Sequence, residues 1–290
     1  MRIPTLRGRG LSPATLIAKV RPRPGLPEIS QPRLKRFLGE MKRRSLPSLP
    51  SAAPTTLALV VPCYRHAAYL PDMLGSITAQ TRLPDEVIFV DDCSPDSTRE
   101  ILQRFIAAHP WPAGGRLQLL ANDRNIGQAA SLNRAISAAS SELIMILNDD
   151  DYLMHDAVES MLTAFGQYRD VALIGATCIG LGGADALAGA AKLSTAYASP
   201  ALPLSYHRPE EVLGYRQPTD LNMTHSSSCF FKAAWAAVGG YGIDKRKRLV
   251  PYSDRDFQLR INAVWPVAVA EKTPYAFWRN YSSVDRVRNS

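Results

Sequence analysis

The run Asn148-Asp149-Asp150-Asp151 sets an amide and three carboxylates side by side, directly after the apolar stretch Ile144 to Leu147. Adjacent acids repel one another, and a fold tolerates them best around a cation. A buried strand ending in acids is also where an α/β fold places a metal and a phosphate-bearing ligand. The alternative is an acidic turn in which Asp149 or Asp151 caps the next helix. Two more apolar stretches end in the same way. Glu86–Val90 runs into Asp91-Asp92, and Arg116–Leu120 into Asn122 and Asp123. Three strand ends carrying acids or amides on one rim make a site. Further along, Asp254 opens a helical stretch, a place where the helix dipole favours an acid. Arg124 could touch a base or phosphate, or sit in a solvated turn. Trp278 and Arg279 could close over a diphosphate, since Arg pairs well with phosphate, or pack in a C-terminal strand. His66 and His225 have no partner at metal spacing and read as surface or core residues.

Positioning these groups requires alternating strands and helices. Leu57–Val61, Glu86–Val90, Arg116–Leu120, Leu143–Leu147 and Val171–Thr177 read as strands. Between them, apolar residues recur at helical spacing around Tyr69–Ile77, Ile101–Ile106, Gln128–Ser140 and Ala157–Tyr168. Ser97-Thr98-Arg99-Glu100 has the form of a capping box. The alternation predicts an α/β fold, a mostly parallel sheet flanked by helices with right-handed crossovers, whose ligands bind at the carboxyl ends of the strands. After about residue 180 the pattern weakens. Ala184–Gln217 is irregular, Ser226–Phe231, Ala233–Val238 and Asp254–Trp265 are ordered, and Val267–Ala270 is a short strand. We expect three stretches: an N-terminal extension over 1–55, a ligand-binding half over 56–180, and a smaller irregular subdomain over 181–290.

Of the 290 residues, 46% are hydrophobic, an ordinary globular share. The net charge of +8 is unevenly placed. Residues 1–50 hold twelve Lys or Arg against Glu28 and Glu40, so the excess belongs to the extension, and no nucleic-acid-binding body is implied. Leu34, Phe37, Leu38 and Met41 fall at helical spacing among basic residues. Residues 33–44 thus resemble a basic amphipathic helix for an anionic membrane surface; a helix docked on the protein's own body, or a disordered arm, is the other reading. The four cysteines lack metal-finger spacing and read as reduced thiols. Without an apolar run long enough for a membrane span or a clean leader, the expected place is cytoplasmic, peripheral on the inner face of the plasma membrane.

Five pieces in order resemble the family 2 glycosyltransferases of the GT-A, Rossmann-like fold. They are Leu59-Val60-Val61-Pro62-Cys63-Tyr64; Ile88-Phe89-Val90-Asp91-Asp92-Cys93-Ser94, close to V-D-D-G-S; Asn125, Gly127 and Asn133 of an N-x-G-x-x-x-x-x-N stretch; Leu147–Asp151, like L-D-x-D-D with its metal-binding DXD; and Gly239-Gly240-Tyr241 followed by Ser253-Asp254-Arg255-Asp256. The resemblance implies a nucleotide-diphosphate sugar, a UDP-sugar foremost, contacted by Pro62, Tyr64, Asp91, Asp92, Arg124, Asn133 and Asp149. It implies Mg²⁺ or Mn²⁺ on Asp150 with Asn148, and Asp254 as the base of an inverting transfer to a carbohydrate or lipid-linked acceptor in cell-surface polysaccharide or glycoconjugate synthesis. Asp151, Asp256 and Arg279 are further candidates.

The chain departs from the pattern at four places. Asn148 replaces the first acid of DXD, Ser253 the common Glu, Arg65 the usual Asn, and Tyr281 a His. They motivate the alternative of a degenerate, nucleotide-sugar-binding scaffold without catalysis. A nucleotidyltransferase would carry a glycine-rich basic loop after the first strand, and Cys63–Ala68 has no glycine.

Overall fold

A computed structural model describes residues 31–176, 178–181, 204–214, 221, 223–226, 228–242, 253–270 and 276–279. The sheet is built from apolar runs. β1 (Leu57–Cys63), β2 (Glu86–Asp91) and β4 (Leu143–Ile146) are buried at every position. Strands covered on both faces need no polar alternation. β3 (Arg116–Ala121) lies at the edge and is partly exposed.

β6 (Leu173–Ala176), β7 (Cys178–Leu181), β8 (Ser205–His207), β9 (Cys229–Phe231) and β10 (Val267–Ala270) follow. The main sheet has eight strands in the order β3-β2-β1-β4-β9-β6-β10-β8. Strands β1 to β4 pair in parallel. β9 runs antiparallel between β4 and β6, and β8 antiparallel on β10. The mostly parallel α/β fold is therefore present. Strands from beyond residue 181 complete the sheet begun before it. A three-stranded sheet joins β5 (Tyr152–Leu153), β11 (Ala276–Arg279) and β7.

Helices α2 (Leu70–Thr78), α3 (Thr98–Ala108), α4 (Gln128–Ala138) and α5 (Ala157–Gln167) bury the faces their spacing predicted. Ser97 makes no capping bond; Asp96 Oδ1 instead accepts the Thr98 N–H at 3.2 Å. The expected capping box is therefore absent. Nor do Asp149 or Asp151 cap α5, whose N-cap position is Asp156.

The basic stretch forms α1 (Gln31–Met41). Its Phe37, Leu38 and Met41 pack on the body, with Met41 buried, while Arg36, Lys42, Arg43 and Arg44 stay exposed. The apolar face assigned to a membrane is thus spent on the protein's own core. Among the described residues no helix is long and apolar enough to cross a membrane.

Candidate active site

β1, β2, β3 and β4 all end on one rim, and the loops that leave them are tied together by the predicted acids. Asp92 braces the loop before α4. It accepts the Ile126 and Gly127 N–H groups at 2.8 Å each and the Asn122 amide at 2.8 Å. Gly127 takes φ 88° and ψ 156°, a region open only to glycine, which explains the N-x-G spacing. Asp91 is fully enclosed. It pairs with Arg99 at 2.8 Å and accepts the Ser94 N–H at 3.1 Å. Through Asp91, the half-exposed Arg99 guanidinium is anchored at the rim.

Loops after β1 and β2 are braced against each other. Arg65 N–H donates to Ser94 Oγ at 3.2 Å, and Ala67 N–H to Asp96 at 3.1 Å. Arg65 and Cys93 both sit in the left-handed region, at φ 61° and 59°. Such strain in a non-glycine residue persists only where neighbours over-determine it.

Asp149 closes the rim from β4. One oxygen accepts the Tyr64 N–H at 2.9 Å, and the other lies 2.8 Å from His66 Nδ1. Burial pulls the His66 pKa down, but the bond and charge of Asp149, with Asp150 and Asp96 nearby, push it up to about 8. At Asp149 the balance is opposite. Burial raises its pKa more than His66 lowers it, and the neighbouring Asp150 charge adds to the rise. His66, Asp149 and Asp150 bring three ligand atoms within 4.8 Å of one another, with both acids buried. Two carboxylates and an imidazole are a donor set that fits a divalent cation. Asn148 is committed otherwise: its amide oxygen accepts from Gln128 at 3.2 Å and its NH₂ donates to Asp151 at 3.3 Å.

The other side of the site begins at α6 (Ser253–Asn262), with Asp254 and Asp256 in its first turn. Its position is set by Phe257, which stacks on Tyr241 at 4.2 Å. His225 Nε2 lies 3.1 Å from the Tyr241 hydroxyl. Burial lowers the His225 pKa and raises that of Tyr241, and the Asp254 charge acts on both groups. The next residue, Ser226, donates to Asp151 and accepts the Asn148 N–H at 3.1 Å. The dipeptide His225-Ser226 therefore joins the neighbourhood of Asp254 to the acidic rim of β4.

Asn133 ties α4 to the Gly-Gly-Tyr turn. Its carboxamide accepts from Trp235 at 3.0 Å and from the Tyr241 N–H at 2.8 Å, and donates to the Tyr241 carbonyl at 2.9 Å. Two of these bonds hold Tyr241 of the Gly-Gly-Tyr turn and the third holds Trp235 of the helix before it, so this residue's described contacts are to the protein. Asp256 pairs with Arg260 at 2.9 Å; Arg260 in turn holds the Val238 and Gly240 carbonyls and lies 5.9 Å over the Phe37 ring of α1.

Of the remaining predicted residues, Pro62 is buried in β1, while Tyr64 and Arg124 are exposed at the rim. Arg279 pairs through its backbone with β7. Tyr281 and residues 1–30, 182–203 and 215–220 lie outside the described residues. Sequence reasoning missed His66, Arg99, His225 and Ser226. His66 had one signal, its place two residues after Tyr64 at a strand's carboxyl end. Arg99 was hidden inside an apparent capping box.

Residues 58–187 match the model of a family described as "Glycosyl transferase family 2". A succinoglycan biosynthesis protein, ExoO of Rhizobium meliloti, is 35% identical over 106 residues, 37% of this chain and 28% of its own. Chondroitin synthase of Pasteurella multocida is 31% identical over 118 residues, 41% of this chain and 12% of its own. The chain thus spans well under half the length of the curated relatives it matches. S. aureus TarS, solved with UDP-GlcNAc, superposes with a TM-score of 0.58 at 16% identity, over 79% of this chain and 60% of that one. The mannosyltransferase PcManGT of Pyrobaculum calidifontis, solved with GDP-Man and Mn²⁺, gives 0.50 at 20% identity, over 82% and 62%.

Proposed function

We propose that this chain, whose residues 58–187 match the family 2 glycosyltransferase model and whose fold is that of GT-A structures, moves a sugar from a nucleotide-diphosphate sugar to an acceptor hydroxyl, with inversion, in polysaccharide or glycoconjugate synthesis. The observation that carries this reading is the meeting of Asp91–Asp92 and Asn148–Asp151 at the ends of parallel strands, with Asp151 tied through Ser226-His225 to Tyr241 and to the charge of Asp254. The relatives named for succinoglycan and chondroitin synthesis support the product class, and the UDP-GlcNAc and GDP-Man complexes support the donor class.

The residues divide the work. Exposed Tyr64 and Arg124 face the nucleotide, and Arg99, held by Asp91, offers a fixed guanidinium to a phosphate. Asp92 and Asn133 act through the loops they hold. Asp150 would hold Mg²⁺ or Mn²⁺; a bound cation offsets the charge growing on the leaving diphosphate. Asp254 takes the proton from the acceptor hydroxyl as its oxygen attacks the anomeric carbon. An ordinary carboxylate is a weak base, so its contribution rests on position beside the desolvated His225 and Tyr241. Replacing Asp254 by Asn should abolish transfer, by about 10³-fold or more, while donor affinity measured calorimetrically stays within about twofold. Loss of donor binding would refute the assignment.

Exposed Arg36, Lys42, Arg43 and Arg44 leave a role for an anionic membrane surface at the cytoplasmic face, by charge alone. Flotation with anionic vesicles should then fade between low and high salt, as exposed charges are screened. Salt-insensitive flotation would instead indicate insertion.

A further inference from the structure

We propose that the divalent cation at this rim is held by His66 together with Asp149 and Asp150, and that Asn148 is not among its ligands. The inference rests on the reading above that the site takes a cation, and it names the ligand set.

Four observations carry it. First, the His66, Asp149 and Asp150 ligand atoms all lie within 4.8 Å of one another, a set that closes around a single ion with small side-chain shifts. Second, His66 Nδ1 and Asp149 Oδ1 are 2.8 Å apart. Two neighbouring ligands on an ion with bonds of about 2.1 Å stand about 3 Å apart, so a cation can take the place of the proton that now bridges the pair. Third, the outer contacts needed to aim these ligands exist already. Tyr64 N–H fixes the far oxygen of Asp149 at 2.9 Å, and the His66 ring rests edge-on against Tyr69 with centroids 5.4 Å apart. Fourth, the Asn148 amide oxygen already accepts from Gln128, and its NH₂ is turned to Asp151. Releasing that oxygen to a metal would cost the Gln128 bond for a ligand without charge.

An imidazole among carboxylates has a chemical consequence. Mg²⁺ prefers oxygen and its own waters, whereas Mn²⁺, Co²⁺ and Zn²⁺ accept nitrogen readily. The site should therefore prefer these ions over Mg²⁺, and His66 should be the source of the preference.

Mn²⁺ titration of the full chain, followed by calorimetry and by electron spin-echo spectroscopy of the bound ion, tests this without reference to turnover. The wild type should show nitrogen coupling from a directly bound imidazole. His66→Ala should remove that coupling and weaken Mn²⁺ by about tenfold or more, while Mg²⁺ affinity changes little. His66→Gln, which keeps a donor for Asp149, should behave the same and excludes a folding defect as the cause. Asn148→Ala should leave Mn²⁺ affinity within about twofold. Absence of nitrogen coupling in the wild type, or a larger loss in Asn148→Ala than in His66→Ala, would overturn the assignment. Sugar transfer by a protein that binds no Mn²⁺ would sink this inference and leave the transferase reading intact. A nitrogen-coordinated ion on a protein that transfers no sugar would do the reverse.

Discussion

The two sides of the rim solve one backbone problem differently. In the loops after β1 and β2, Arg65 and Cys93 take positive φ of 61° and 59° with full side chains. In the turn before Asp254, Gly239 and Gly240 take 82° and 68°. At Gly240 a Cβ would lie 2.6 Å from Asn133 Oδ1 and 3.0 Å from Trp235 Nε1, so the position excludes any side chain for reasons of space as well as angle. The strain of the first two loops is held by braces between adjacent strand ends. The Gly-Gly-Tyr turn is held by a group 108 residues away, Asn133 to Tyr241. The geometry of the rim loops is a property of neighbouring strand ends; that of the turn is a property of the assembled protein.

The sharpest way to break that contrast is Asp92→Ala. It would orphan the Ile126 and Gly127 N–H groups and the Asn122 amide together. We expect a loss of roughly 3 kcal/mol or more in denaturant unfolding, with donor binding lost at the same time. Asn133→Ala should cost about 2 kcal/mol and separate the sides kinetically: kcat should fall while donor affinity holds. If donor affinity falls instead, Asn133 belongs to the nucleotide after all.

Glu86 gives a milder test, away from the rim. It accepts from Ser141 N–H and Oγ, from Ser140 N–H and from Arg116. Burial alone would raise its pKa, but these bonds outweigh burial and hold it below the usual carboxylate value. A depressed folded-state pKa gives stability present above the unfolded value and lost as pH falls through the folded one. Glu86→Gln should therefore flatten the acid limb of a stability-against-pH curve, and an unchanged limb would show that Glu86 is not responsible. The smallest effect is expected at Cys93→Gly. Relief of its left-handed strain, less the entropy glycine loses on folding, should stabilise by up to about 1 kcal/mol in thermal melts. Gly240→Ala should do the opposite, which completes the comparison.

The same asymmetry decides what was legible in the sequence. Each donor acid follows its own apolar strand, and local alternation places strand ends on one rim, so Asp91, Asp92 and Asn148–Asp151 were found from pattern alone. The partners that give them meaning are far apart in sequence: His66 is 83 residues from Asp149, and Ser226 is 75 from Asp151. No periodicity carries such pairings. The basic helix α1 was legible as amphipathic, but amphipathicity says only that an apolar face needs cover, and here Phe37 finds it on Arg260. Asn133 was read from motif position as a nucleotide contact; its bonds to a turn 108 residues away lie beyond any local window.

The single hydroxyl of Ser226 has a consequence for how such chains can diversify. It meets Asp151 just after β4 and follows His225, which meets Tyr241 beside α6. A hybrid that grafts a foreign C-terminal portion onto this N-terminal portion must therefore inherit a hydrogen-bonding residue at 226 together with an acid at 151. Recombination points that split that couple would yield folded halves whose facing groups no longer share a common origin.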